Sequence, residues 1–319
     1  MPEPSTDQLF YLPGLQERKA ERTRRIAELL GSSLGGHGPT GAAVAHAVAH
    51  HLLEGAEQAA ANRNGDLLSW YRRTELRDLA YLASTDSAGS AHLLLNPEDG
   101  HLLQSPLSET AYYLVAPETS VAPAALHELL ATALDSARKH GFGGLVDQYA
   151  PIVCLLERRE LRDTLFSWSI TRLPGTVFTD YTSAPEVLAR DLVHEAGHHW
   201  FNEALATASV SLPEDVTFHS PWRETERPAF GFLHACWAFS LTVIYSAAVL
   251  DSAPPPVQAF LRDYLAGQGR LLRAAVPNFG EAASLITSEQ LRERVSGAVD
   301  AALRCAQELP EPSEEVSSC

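Results

Sequence analysis

Lysine is nearly missing from this sequence. Only Lys19 and Lys139 occur in 319 residues, so arginine carries almost all of the positive charge against 40 Asp and Glu, leaving a net charge of −16. So acidic a surface repels phosphate backbones, and no nucleic-acid partner is expected. Cysteine is also scarce. Cys154, Cys236, Cys305 and Cys319 show no C-x-x-C spacing and two lie in strongly apolar runs, so they read as reduced, buried thiols in a cytoplasmic protein. The opening Met1-Pro2-Glu3-Pro4 has neither a basic nor an apolar region, and no secretory signal is expected there. Internal repeats and a glycine-rich phosphate loop are lacking as well.

Long apolar runs are absent with one exception. Ala229 to Leu250 contains no charged residue and is just long enough to cross a bilayer. It carries His234, Ser240, Thr242, Tyr245 and Ser246, and no Lys or Arg excess flanks it to set an orientation. It therefore reads as the central helix of a soluble core, apolar all round, and no membrane partner is expected.

What is present suits an α+β fold, predominantly helical. Residues 1–82 read as a helical amino-terminal part: Leu15 to Leu30, Gly41 to about Ala61, and a third piece around Asp66 to Leu82. Residues 83–308 read as the catalytic domain and 309–319 as a disordered acidic tail. Between Ser84 and Tyr181 the pattern is of strands with one helix, Ala124 to His140, which stops at Gly141-Phe-Gly-Gly144. Ile152 to Leu156 suits a buried strand, Phe166 to Ile170 alternates, and Gly175 to Tyr181 follows a turn. A connection of about twenty residues leads to the apolar helix, and helices near Val257 to Ala275 and Ser288 to Glu308 follow.

The chemistry centres on Val193-His194-Glu195-Ala196-Gly197-His198-His199-Trp200, in a helix placed at about Pro185 to Ala208. Four-residue spacing projects His194 and His198 from one helix face, as two adjacent ligands of a metal require. Glu195 beside them can serve as a general base or support the ligands. The neighbours Leu192, Val193, Trp200 and Phe201 bury a helix rather than solvate it. His46 and His50 repeat the spacing, but no acidic or cysteine partner stands in that turn, and the alanine-rich context reads as helix packing.

Two histidines need a third ligand. The metzincin pattern would require Gly and His where Phe201 and Ala204 stand, so it does not apply. His234, in the apolar helix, is the first choice, because a buried imidazole without a partner is costly. His199 and His219 are the reserves.

The segments Leu173-Pro-Gly-Thr-Val-Phe178, Leu192-Val-His-Glu-Ala-Gly-His198, Pro221-Trp-Arg-Glu-Thr-Glu-Arg-Pro228 and Gly231-Phe-Leu-His-Ala235, in this order, resemble the HExxH-motif family of peptide-modifying enzymes. Some members of that family are iron(II)- and 2-oxoglutarate-dependent β-hydroxylases of peptide side chains. The resemblance spans about residues 165–250. It implies a zincin-like arrangement, a metal held by His194, His198 and His234, and Arg227 or Arg223 facing the cosubstrate. A guanidinium fork suits a carboxylate of 2-oxoglutarate. The usual non-heme iron site has two histidines and a carboxylate, so a set of three histidines leaves the role of Glu195 open.

The resemblance therefore implies an Fe(2+) oxygenase acting on a peptide with O2 and 2-oxoglutarate. The alternative is a Zn(2+) peptidase with Glu195 as general base, and a third is a binding protein that keeps the scaffold without metal.

Overall fold

The computed structural model describes residues 9–32, 34, 38–85, 91–104 and 110–307. The expected acidic tail lies outside these residues. The chain forms two compact units, residues 5–202 and residues 203 onward. It is mostly helical, with small sheets.

The amino-terminal unit opens with α1 (Leu15–Leu30), α2 (Gly38–Ala61) and α3 (Gly65–Arg73), and a 3-10 turn, Leu76–Leu82, follows them. Gly31 ends α1 in the left-handed conformation (φ 68°), where its N–H reaches back to Ala27 and Glu28 carbonyls. Gly55 lets Tyr71 of α3 lie against α2, since a methyl there would occupy the space of the phenol ring.

Five strands form the main sheet: β1 (Ala83–Thr85), β2 (Ala91–Leu95), β5 (Ile152–Arg158), β6 (Ser167–Ser169) and β7 (Thr176–Tyr181). A second pair, β3 (Leu103–Gln104) with β4 (Ala111–Tyr112), stands apart from it. The main order is β1-β2-β5-β7-β6, with β2, β5 and β7 parallel and the two edge strands antiparallel to their neighbours. Parallel strands covered on both faces need unbroken apolar runs, and Ile152, Val153, Cys154 and Leu155 are all fully buried. Between β4 and β5 stand two helices where the sequence suggested one: α4 (Ala124–Lys139) ends at Gly141 (φ 86°), and α5 (Gly143–Tyr149) restarts at once.

After β7, Thr182 accepts the Ala184 N–H at 3.1 Å, and α6 (Pro185–Thr207) begins on proline. The expected helix ends within one residue of this.

The carboxy-terminal unit holds the hairpin β8 (Thr217–Ser220) and β9 (Thr225–Pro228), then α7 (Ala229–Val249), α8 (Pro255–Ser284) and α9 (Glu289–Gln307). The hairpin occupies what the sequence suggested was irregular connection. Helix α8 continues past the expected end at Ala275, through Pro277, because its apolar face continues to Ala282 and Ala283. The uncharged helix is the centre of its unit: α8 and α9 both pack on α7, and Phe232, Leu233, Trp237, Ala238, Leu241 and Tyr245 are fully buried. Its length would span a membrane, but it is mostly buried inside the protein, as expected for a core helix.

Candidate metal centre

Helix α6 is buried along most of its length, with Val193, Ala196, Trp200 and Phe201 fully enclosed. Trp200 donates its indole N–H to the Phe10 carbonyl at 2.8 Å, which fixes the helix axially. His194 and His198 are the partly exposed positions of this stretch. Their Nε2 atoms face each other at 3.2 Å, with rings 4.7 Å apart and inclined at 85°. With metal–nitrogen bonds of about 2.1 Å, a 3.2 Å separation subtends about 100° at a shared ion, between octahedral and tetrahedral values. The donor pair therefore fits a first-row metal, and imidazole suits iron and zinc alike.

Glu195 completes a cluster with the two histidines, all ligand atoms lying within 4.8 Å of one another. Its Oε1 is 3.9 Å from His194 Nε2, which at similar bond lengths corresponds to about 135°, wider than either regular geometry. That oxygen also accepts a hydrogen bond from Ser167 Oγ at 2.7 Å. Burial pushes the Glu195 pKa up to about 7, against the opposing pull of hydrogen bonds from Ser167 and Ser169 and with a further rise from the charge of Asp191. Glu195 is thus held by β6 beside the histidine pair rather than between them.

The strand explains this placement. Along β6, side chains alternate, so Ser167 and Ser169 share one face and Trp168 takes the other. Trp168 stacks on Phe178 of β7 and donates to the Ala111 carbonyl at 2.7 Å. The sequence pattern revealed the alternation around residues 166–170 but gave the two serines no role. Their signal was the Ser-Trp-Ser triplet, with its polar side facing the helix that follows.

The reserve ligands have other tasks. His199 Nε2 donates to the Thr176 carbonyl at 3.0 Å, and burial lowers its pKa to about 4. His51 on α2 engages the same residue. Val115 N–H donates to His51 Nδ1 at 3.3 Å, so the ring proton is on Nε2, which donates to Thr176 Oγ1 at 2.9 Å. His219 is exposed on β8, 3.9 Å from Glu226.

His234, Arg223 and Arg227 belong to the carboxy-terminal unit. His234 lies on α7, partly exposed, with its ring 4.2 Å from that of Phe230. Arg227 lies flat against the first turn of α7, where a methyl on Gly231 would come within 3.0 Å of its Cζ and Nη2. Burial, and then the neighbouring charge of Arg223, hold the Arg227 pKa below the usual arginine value. Among the described residues neither arginine is paired with a carboxylate. The helix start beside them has no side-chain cap and no acidic residue in its first turn. Compared with known proteins, the chain matches no protein-family model and no curated protein.

Proposed function

We propose that this chain is an iron(II)- and 2-oxoglutarate-dependent oxygenase that hydroxylates an unactivated β carbon of a side chain in a ribosomal peptide precursor. The observation that carries the reading is the pair Arg223 and Arg227, two adjacent guanidinium groups without a carboxylate partner among the described residues. Two neighbouring guanidinium groups raise the local positive potential and present planar forks that match a dicarboxylate. Gly231 supports the same reading, because it leaves the Arg227 fork room to lie flat at an uncapped helix start.

In this reading His194 and His198 hold the metal through Nε2, and His234 is assigned as the third ligand, which carries with it the zincin-like arrangement. Iron(II), when bound, supplies the one-electron chemistry with dioxygen and 2-oxoglutarate that replaces a C–H hydrogen by hydroxyl. Arg227 binds a cosubstrate carboxylate in bidentate fashion, with Arg223 as its neighbour. Ser167 and Ser169 keep Glu195 at the side of the histidine pair. A peptide substrate is favoured by the position of β6, an edge strand with one ladder partner, to which an extended main chain can add. The unpaired Cys154 and Cys236, both buried, suit a cytoplasmic enzyme.

A second reading is a zinc peptidase in which Glu195 is the general base. It is favoured by the position of Glu195, buried beside the histidine pair with its Oε1 3.9 Å from His194 Nε2, where a carboxylate can reach a metal-bound water. Elemental analysis of anaerobically purified protein, paired with a 2-oxoglutarate consumption assay, separates the two. Iron with uncoupled or peptide-dependent turnover of 2-oxoglutarate is expected, together with a large rise in the 2-oxoglutarate requirement of Arg227→Lys at unchanged metal content. Peptide cleavage with zinc and no organic acid would overturn the oxygenase reading.

A further inference from the structure

Helix α2 carries a second pair of histidines four residues apart, and both are inside the protein: His46 is 2% exposed and His50 4%. Helix α1 packs along α2 and brings positive charge to them. Lys19 of α1 is itself buried, with its Nζ donating to the Gln148 carbonyl at 2.6 Å and lying 4.4 Å from the centre of the Tyr149 ring. Thr23, one turn further, donates its hydroxyl proton to the Lys19 carbonyl at 2.9 Å. At its 2.9 Å contact with His46 Nδ1 it therefore accepts, and Nδ1 carries the ring proton of the neutral imidazole. An imidazolium needs an acceptor at both nitrogens, and the buried Nε2 of neither His46 nor His50 has one.

We propose that α1 is an acid-released latch: when His46 and His50 take up protons, α1 leaves α2 while the sheet behind it stays folded. The charges that act most on the two rings are all positive. Burial, then Lys19, His50, Arg22 and His199, hold His46 well below its ordinary value. Burial, then Arg22 and His51, lower His50 to about 3, against a smaller opposing pull from the Arg172 carbonyl. The nearby acids are engaged elsewhere: Glu54, one turn along α2, pairs with Arg172 at 2.6 Å, and Asp147 of α5 pairs with Arg138 and stands 3.6 Å from His92 of β2. With α1 gone, both rings regain the ordinary histidine value of about 6.5, so the open form binds two protons that the docked form refuses. Docking is thus at full strength above that pH and weakens as pH falls below it. His51 does not take part, because its two nitrogens are held by Thr176 and Val115 behind the pair. The segment ahead of α1 anchors α6 through the Phe10 carbonyl and Trp200, so opening of the latch also slackens the helix that carries His194 and His198.

The test is hydrogen exchange of the full-length protein, read by mass spectrometry and corrected for the intrinsic pH dependence of exchange, with α1 compared to β5 between about pH 7 and about pH 5. The opening constant of α1 is expected to rise by up to about a hundredfold per pH unit below about pH 6.5, tenfold for each proton, while that of β5 rises far less. His50→Gln should cut the α1 slope to about tenfold per unit, and His46→Gln with His50→Gln should remove it. The slope counts protons, so a variant that is less stable at every pH still reports it. Should the double variant not fold, His46→Gln alone must show the same reduced slope as His50→Gln. An α1 opening constant that is equal at both ends of the range, a slope that neither single substitution changes, or β5 amides that open in step with α1 overturns the proposal.

Discussion

Thr176 joins three elements, and removing its hydroxyl while keeping its shape isolates one of the joints. His51 Nε2–H donates to Thr176 Oγ1 at 2.9 Å, where His51 and Thr176 are both fully buried. Thr176→Val is close to isosteric, so it opens no cavity. It leaves a buried N–H with no acceptor. The ring cannot recover by moving its proton to Nδ1, since that atom must accept the Val115 N–H at 3.3 Å. An unsatisfied buried donor costs about 1–3 kcal/mol, and with both tautomers blocked we expect about 2 kcal/mol. At roughly 2–4 °C per kcal/mol for a domain of this size, the melting temperature should fall by about 4–8 °C. Thr176→Ser is the control. It keeps the acceptor and loses one buried methyl, for about 1 kcal/mol. Urea unfolding followed by circular dichroism measures both, with the slope compared to exclude a change in the denatured state. A valine variant as stable as wild type, or more stable than the serine variant, would refute the assignment of His51 as a donor to Thr176.

Gly231→Ala should move two quantities in opposite senses: stability rises by up to about 1 kcal/mol from helix propensity, while the affinity for 2-oxoglutarate falls about tenfold as the Arg227 fork is displaced. Gly55→Ala should destabilise by about 1–3 kcal/mol in thermal or urea melts, because the added methyl meets the Tyr71 ring. Burial, with a smaller push from Glu118, raises the Tyr71 pKa to about 12, above the unfolded value near 10. Stability is then unaffected below pH 10 and falls by up to about 2 kcal/mol as pH rises toward 12, a loss that Tyr71→Phe should remove in alkaline melts. Glu195→Gln should abolish more than about 99% of activity if the enzyme is a peptidase, measured as hydrolysis of a peptide library, and should leave 2-oxoglutarate turnover measurable if it is an oxygenase.

The parts of this fold legible in the sequence are those with strong periodicity. Helix α6 was placed to within a residue because Pro185 marks its start and the apolar spacing runs through Trp200 and Phe201. The uncharged stretch from Ala229 could be recognised as core because of the hydroxyls and histidine it carries. The hairpin β8–β9 was hidden: Thr225, Glu226, Arg227 and Pro228 have the composition of a loop, and Glu224 turns the chain with a positive φ of 51°. Helix α8 runs beyond the expected end near Ala275: Pro277 stands inside it, and the burial of Ala282 and Ala283 holds the last turns in place. At the site, His194, Glu195 and His198 were visible because their spacing is local. Ser167 and Ser169 were not, since their contact with Glu195 bridges 28 residues and leaves no trace in either segment alone.

That difference in chain separation has a consequence in time. His194 and His198 meet as soon as one turn of α6 forms, an event of about a microsecond or less. The hydrogen bond from Ser167 to Glu195 must wait for β6 to join β7, and the parallel ladder of Leu93 with Ile152 closes a longer loop still. The imidazole pair therefore exists before the serines that hold Glu195 do, so in the proposed metal-binding reading an ion met during synthesis would find the two histidines first and Glu195 only once β6 has joined the sheet.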